Sequence, residues 1–274
     1  MRRGQGAALT LIALLVLSAC GGAMQDGRRA MARGEFEVAA QAFRRATVER
    51  PDDPQAWLAL GRAEMSAERY PRARAAFERV AALRPRAALP RVLIGNAWEL
   101  SRRYDEAHLA YRHATELAPR SAYAHRVLGS RLLRWGRAEE AEPALARAVE
   151  LDPAHAETWN ALGMARYHTG DREGAERAFR RGAELHPDHT GVRLGLAALL
   201  VNAHRFDEAL AIYDQVVRRR PTFAEAHVGR AILLHELGRE DEAEAAFERA
   251  VAVARDPAPF VRRLEDYRRL RSRP

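Results

Sequence analysis

The chain has no lysine: all 45 of its basic residues are arginine, in a sequence of 274 residues. Schiff-base chemistry and lysine-base chemistry are therefore excluded. It has one cysteine, Cys20, so no intramolecular disulfide can form, and an oxidising compartment would leave the fold unchanged. Its longest apolar run, residues 7–17, has 11 residues interrupted only by Thr10. That is within the roughly 7–15 residues of a secretory leader and short of the ~20 needed to span a bilayer. It also lacks G-x-S-x-G, P-loop and G-x-G-x-x-G motifs. His235-Glu236 begins like a zinc-protease helix, but position 239 is Arg, so the second ligand of H-E-x-x-H is missing. His186-Pro187-Asp188-His189 has metal-binding residue types but reads as a turn, where Pro and Asp are expected. The residues point to a non-enzyme with no metal, no small-molecule substrate and no cofactor beyond what Cys20 carries.

Net charge is +8, which raises nucleic acid as a partner. The arginines are interleaved with Asp and Glu through the whole chain, and a leader would export the protein, so nucleic acid is not expected.

Residues 1–19 read as that leader. Arg2 and Arg3 supply its positive start, and Ser18-Ala19 its small residues. Leu17-Ser18-Ala19-Cys20 resembles the bacterial lipobox. The resemblance implies cleavage before Cys20 and a diacylglycerol on its thiol, with further acyl chains giving a stable anchor. Gly21 follows the cysteine instead of an Asp, which in the enteric pattern implies the outer membrane, facing the periplasm.

What the chain does have is a period. Pro51, Pro85, Pro119, Pro153, Pro187 and Pro221 are each 34 residues apart. Residues 54–87 carry Trp57, Leu60, Gly61, Ala73, Phe77 and Pro85, and residues 156–189 carry Trp159, Leu162, Gly163, Ala175, Phe179 and Pro187. This W-x2-L-G, A-x3-F, Pro pattern resembles the tetratricopeptide repeat (TPR) family. The expected fold is all-α: a right-handed superhelical solenoid of about seven helix-turn-helix repeats. Their expected spans are 20–53, 54–87, 88–121, 122–155, 156–189, 190–223 and 224–255, with a capping helix at 258–271. Gly61, Gly95, Gly129 and Gly163 are expected where two helices approach too closely for a Cβ. Acidic pairs such as Asp105-Glu106 and Glu139-Glu140 complement helix N-termini. Pro143, inside a second helix, predicts a kink. In the cap, Phe260, Leu264, Tyr267 and Leu270 share one face, and six arginines between 262 and 273 form a basic one.

The family resemblance also implies a binding surface. First helices line a concave groove, which here maps to Arg62, Asn96 and Glu99, then Tyr123 and Arg126, then Asn160, Met164 and Tyr167, and finally Leu194, Val228 and Ile232. The middle of that face is polar and its C-terminal end apolar. The apolar end reads either as a partner site or as surface buried under the cap. The paired basic and Asn residues of the family's carboxylate clamp are missing, since Val127 and Ala161 stand where partners of Asn96 would be.

A lipoprotein built of such repeats, with only Gly21 and Gly22 as tether, is similar to the pilotin-type lipoproteins of type IV pilus systems and to lipoproteins of tight-adherence pili. That implies a scaffold for protein partners in the periplasm or outer membrane, held to the membrane by lipid and assembling a secretin or pilus. An adaptor for peptidoglycan hydrolases or synthases and a polysaccharide-export component are the alternatives the sequence leaves open.

Overall fold

The computed structural model describes residues 22–271. The leader and Cys20 lie outside the described residues. The helices are α1 (22–32), α2 (Phe36–Glu49), α3 (Pro54–Ser66), α4 (Tyr70–Leu83), α5 (Ala88–Leu100), α6 (Tyr104–Leu117), α7 (Ala122–Arg134) and α8 (Ala138–Leu151). They continue with α9 (Ala156–Thr169), α10 (Arg172–Leu185), α11 (Thr190–Asn202), α12 (Phe206–Arg219), α13 (Ala224–Glu236), α14 (Glu240–Val253) and α15 (Ala258–Arg271). No strand occurs among the described residues. Consecutive helices pair as hairpins, so the architecture is the all-helical, helix-turn-helix repeat that the 34-residue period predicts. The chain forms two compact units, one ending at Leu128 and the other starting at Gly129.

Three local devices recur at the same register. The first is the hairpin turn, where one residue at each 34-residue step has positive φ: Gly34, Glu68, Arg102, Gly136, Gly170, His204 and Gly238. Glycine is unstrained there, whereas the other three carry a Cβ into a region that disfavours it. The second is a hydrogen bond to the closing proline, made at five of the six; at Pro85 the equivalent Arg91 Nε is buried without a hydrogen-bond partner. Trp57 Nε1 donates to the Pro51 carbonyl at 2.7 Å and Trp159 Nε1 to Pro153 at 2.8 Å. At equivalent positions Arg193 Nε donates to Pro187 at 2.8 Å, while His125 and His227 place Nε2 on Pro119 and Pro221 at 3.1 and 2.9 Å. A carbonyl only accepts, so both histidines carry their proton on Nε2. The third is an arginine just before a second helix, paired with a glutamate in its first turn: Arg103–Glu106, Arg137–Glu140, Arg205–Glu208 and Arg239–Glu242. These acids also complement the helix dipole.

Close approach explains the signature glycines. A Cβ on Gly61 would overlap the Phe77 ring, and one on Gly95 the Tyr111 ring. Gly129 and Gly163 meet Leu145 and Phe179 in the same way. The facing alanines Ala73, Ala107, Ala141 and Ala175 are fully buried.

In the first unit, one core joins Met24, Ala39, Phe43 and Leu60. Glu64 of α3 is 1% exposed there. Its Oε1 accepts from Arg44 Nη2 at 2.5 Å, and Arg69 lies 4.0 Å from Oε2. Arg74 stacks 3.4 Å from the Trp98 ring centroid, with Arg103 on the same ring at 5.3 Å.

In the second unit, the core runs through Phe179, Leu200, Leu234 and Phe247 to Leu264 and Tyr267 of α15. The Tyr267 hydroxyl sits 2.6 Å from Glu240 Oε2, and burial together with that carboxylate pushes its pKa up to about 12. Arg268 pairs with Glu244 and Glu248, and Arg271 with Asp241 and Glu244. Two arginines of the basic face of α15, Arg268 and Arg271, are thus engaged by acids of α14, while Arg269 pairs with Asp266 of its own helix. Leu270 corrects the sequence reading: it is 58% exposed, one step off the buried stripe. Helix α8 runs unbroken through Pro143, which lies on its exposed side.

Candidate functional site

The residues expected to line the groove fall in both units. In the first unit, Arg62 lines a cavity of about 270 Å³ with Met24, Arg28, Met31 and Leu58. Asn96 and Glu99 are half-buried, and the Tyr111 hydroxyl lies 2.8 Å from Asn96 Oδ1 and 3.0 Å from Glu99 Oε2. Tyr123 is exposed, with the Arg126 guanidinium 5.4 Å from its ring centroid.

In the second unit, Asn160, Met164 and Tyr167 of α9 and Leu194 of α11 converge on one cavity of about 440 Å³. These four expected positions are joined by His168, Ala198 and Asn202, with Phe179 and Leu199 also in the lining. Met164 is 41% exposed. Asn202 Nδ2 donates to the Tyr167 hydroxyl at 2.8 Å, fixing the tyrosine across the two helices. Tyr167 and His168 meet edge to face at 5.7 Å. No carboxylate and no guanidinium lines the cavity. It is an apolar hollow flanked by neutral amide and hydroxyl groups, suited to an apolar side chain and an adjoining peptide backbone.

Local sequence builds this hollow. Glu157, Asn160, Met164 and His168 stand at helical spacing along α9. On α11 the corresponding face carries Gly191, Leu194, Gly195, Ala198 and Asn202, so small residues leave the room that α9 borders. Helix α11 is capped by His189, whose Nδ1 accepts from Val192 N at 3.2 Å. Its Nε2 therefore carries the proton and faces Glu157 at 3.5 Å. The Glu157 carboxyl is held below its usual range, first by its own backbone amide, then by His155 and His189. His189 is thus occupied by helix capping and by Glu157, whereas His186 Nε2 is buried without a hydrogen-bond partner. Among the described residues no cluster of three His, Cys, Asp or Glu could hold a metal ion, and no helix is long and apolar enough to cross a membrane.

One expectation is corrected. Val228 is 2% exposed and belongs to the core, because α13 turns Ala224, Val228 and Ala231 inward. Ile232, on the same helix, is 46% exposed and stands outside the α9–α11 lining. The sequence reading overlooked Gly191 and Gly195; two glycines in one helix, at groove spacing, were the available signal.

Helical hairpins stacked at a 34-residue period, with a hollow between first helices, define a repeat protein built to hold a partner. The tetratricopeptide repeat family matches residues 25–90, 96–156, 127–190 and 194–259, and the chain belongs to that family, whose fold is a scaffold for protein–protein interaction. No match was found among curated protein sequences. Among solved structures, a TPR protein of Cytophaga hutchinsonii is similar, with TM-score 0.69 and 13% identity over 87% of this chain and 98% of that one. Pseudomonas aeruginosa pilF matches with TM-score 0.61 and 18% identity over 78% and 97%. YrrB, described as a TPR protein with an unusual peptide-binding site, matches with TM-score 0.56 and 24% identity over 73% and 100%. At these identities the likeness is one of fold.

Proposed function

We propose that this chain is a lipid-anchored scaffold, placed at the periplasmic face of the outer membrane, that holds a segment of a partner protein between α9 and α11 during assembly of a pilus or secretin complex. The observation that carries the binding role is the α9–α11 hollow, where Met164 and Leu194 face an apolar space that the core leaves unfilled. Desolvating such a surface against a partner is favourable. The peptide-binding site named for YrrB adds a precedent within the fold. The anchor rests on the lipobox resemblance of residues 17–20, and α1 is already helical at residue 22, which leaves almost no tether. The pilus setting rests on the resemblance to pilotin-type lipoproteins, with pilF as a structural neighbour.

The test is photo-cross-linking from intact membranes, with a photoreactive amino acid at Ala198. Wild type is compared with Met164→Asp/Leu194→Asp. The expected result is recovery of a pilus or secretin subunit, lost in the double variant. Recovery of a cell-wall hydrolase or synthase would replace the pilus role with the adaptor role. No adduct at 198, with an undiminished partner elsewhere, would remove the hollow from the binding reaction.

A further inference from the structure

The backbone at Gly191 does not call for glycine. It is the second residue of α11, inside a helix, where glycine costs about 1 kcal/mol relative to alanine. Its φ is not positive; the positive-φ glycines are 34, 136, 170 and 238. The close approach is a mild one. An added Cβ would lie 3.1 Å from His189 Cε1 and 3.9 Å from Asn160 Nδ2, so the half-buried ring that caps α11 would have to shift by a few tenths of an ångström. Gly195, one turn on, is different: a Cβ there would lie 2.5 Å from Phe179 Cε1, against a buried ring. Packing therefore requires Gly195, whereas at Gly191 it asks only for a small shift of the His189 ring. What Gly191 does provide is space, since it lines the α9–α11 hollow and any side chain there would project into it.

The geometry points to Gly191 as the residue that sets ligand selectivity: it keeps open a subsite for one bulky, uncharged apolar side chain, aromatic or Leu/Met in type, carried on an extended segment of a partner protein. This inference rests on the scaffold reading above and names what the scaffold grips. The occupant is argued from charge and shape. No carboxylate or guanidinium lines the hollow, and its one imidazole, His168, stands exposed at the rim, so a charged guest deep in the hollow would be desolvated without a partner, at a cost that discriminates against it. Apolar contact comes from Met164, Leu194 and Phe179, and the Asn160 and Asn202 amides stand in the lining where the guest's backbone would need partners. Extended chain suits this better than helix, because its backbone groups are unpaired.

The test uses the methionine methyls. The sequence has five methionines, and Met164 lines this hollow, whereas Met24 and Met31 line the cavity beside Arg62 and serve as internal controls. The full chain, purified into phospholipid nanodiscs with 13C-methyl-methionine, is titrated with acetylated, amidated Gly-Ser peptides. Each peptide carries one central guest: Phe, Leu, Ala, Asp or Arg. The expected result is a saturable shift of the Met164 signal with Phe and Leu and none with Asp or Arg, while Met24 and Met31 stay still. Gly191→Leu should weaken the Phe peptide at least tenfold. Should Gly191→Leu disturb the helix start, Ala198→Leu fills the same hollow from the other side and should do the same. The inference is overturned if charged guests shift Met164 as strongly, if no guest shifts it, or if both filled variants bind as wild type does. The two readings fail separately. If Gly191→Leu still captures the cellular partner at full yield, the scaffold stands and the subsite falls. If apolar peptides shift Met164 but no protein is captured, the subsite stands and the assembly role falls.

Discussion

At the scale of the residue, three hairpin turns carry side chains where the backbone favours glycine. Glu68, Arg102 and His204 have φ of 58°, 59° and 56°. Arg102→Gly should therefore stabilise the protein by about 0.5–1 kcal/mol in urea unfolding, the relief of left-handed strain outweighing the added freedom of the unfolded chain. His204 is a poorer choice, since its ring also packs edge to face on Phe206. Val228 shows the opposite sensitivity. Val228→Asp would bury an unpaired carboxylate, so thermal denaturation should show a loss of several kcal/mol. Leu194→Asp, at a half-buried position on the hollow, should leave circular dichroism and melting nearly unchanged. Tyr267 supplies a pH prediction. Its folded pKa is raised, so the stability it contributes is complete below the tyrosine's ordinary value near 10 and is lost as pH rises through about 12. Between pH 10 and 12 the wild type should lose more stability than Tyr267→Phe. The absence of lysine leaves few competing titrations in that window.

At the scale of the element, α3 carries the least expected group, the buried Glu64, held by Arg44 across the hairpins. Arg44→Met should cost about 1–3 kcal/mol, because it leaves a charge-bearing acceptor without its hydrogen bond. Helix α8 offers a gain: Pro143→Ala restores a backbone donor in the helix interior and should raise stability by about 1–3 kcal/mol. Which elements exist was legible from the 34-residue period, since proline stops, acidic first turns and signature glycines all act through local geometry. Side-chain fate within an element was less legible. Val228 and Ile232 are four residues apart, and Leu270 follows Tyr267 by three, yet each pair splits between core and solvent. A step of 100° per residue lets a small rotation of the helix decide which side wins, and pattern matching does not fix that rotation. The hollow was half legible: large residues that line it were named, whereas the glycines that create it were passed over because they contribute no side chain.

At the scale of the whole molecule, arginine does its work in company with acids. Most of the ion pairs have exposed partners, each worth about 0–1 kcal/mol, so added salt should change stability only slightly. The proposed attachment to the membrane rests on the lipobox resemblance of residues 17–20. Cys20→Ser should move the protein from the membrane to the soluble fraction, and a protein that stayed bound would have another anchor.

The hydrogen bonds to the closing prolines have a consequence of their own. Tryptophan, arginine and histidine all serve as the donor, each through one N–H at the same place. Indole and guanidinium always carry that N–H, and imidazole carries it in its Nε2–H tautomer. The joints where one repeat hands the chain to the next therefore accept side chains of different size and charge, provided each presents one N–H to the proline carbonyl.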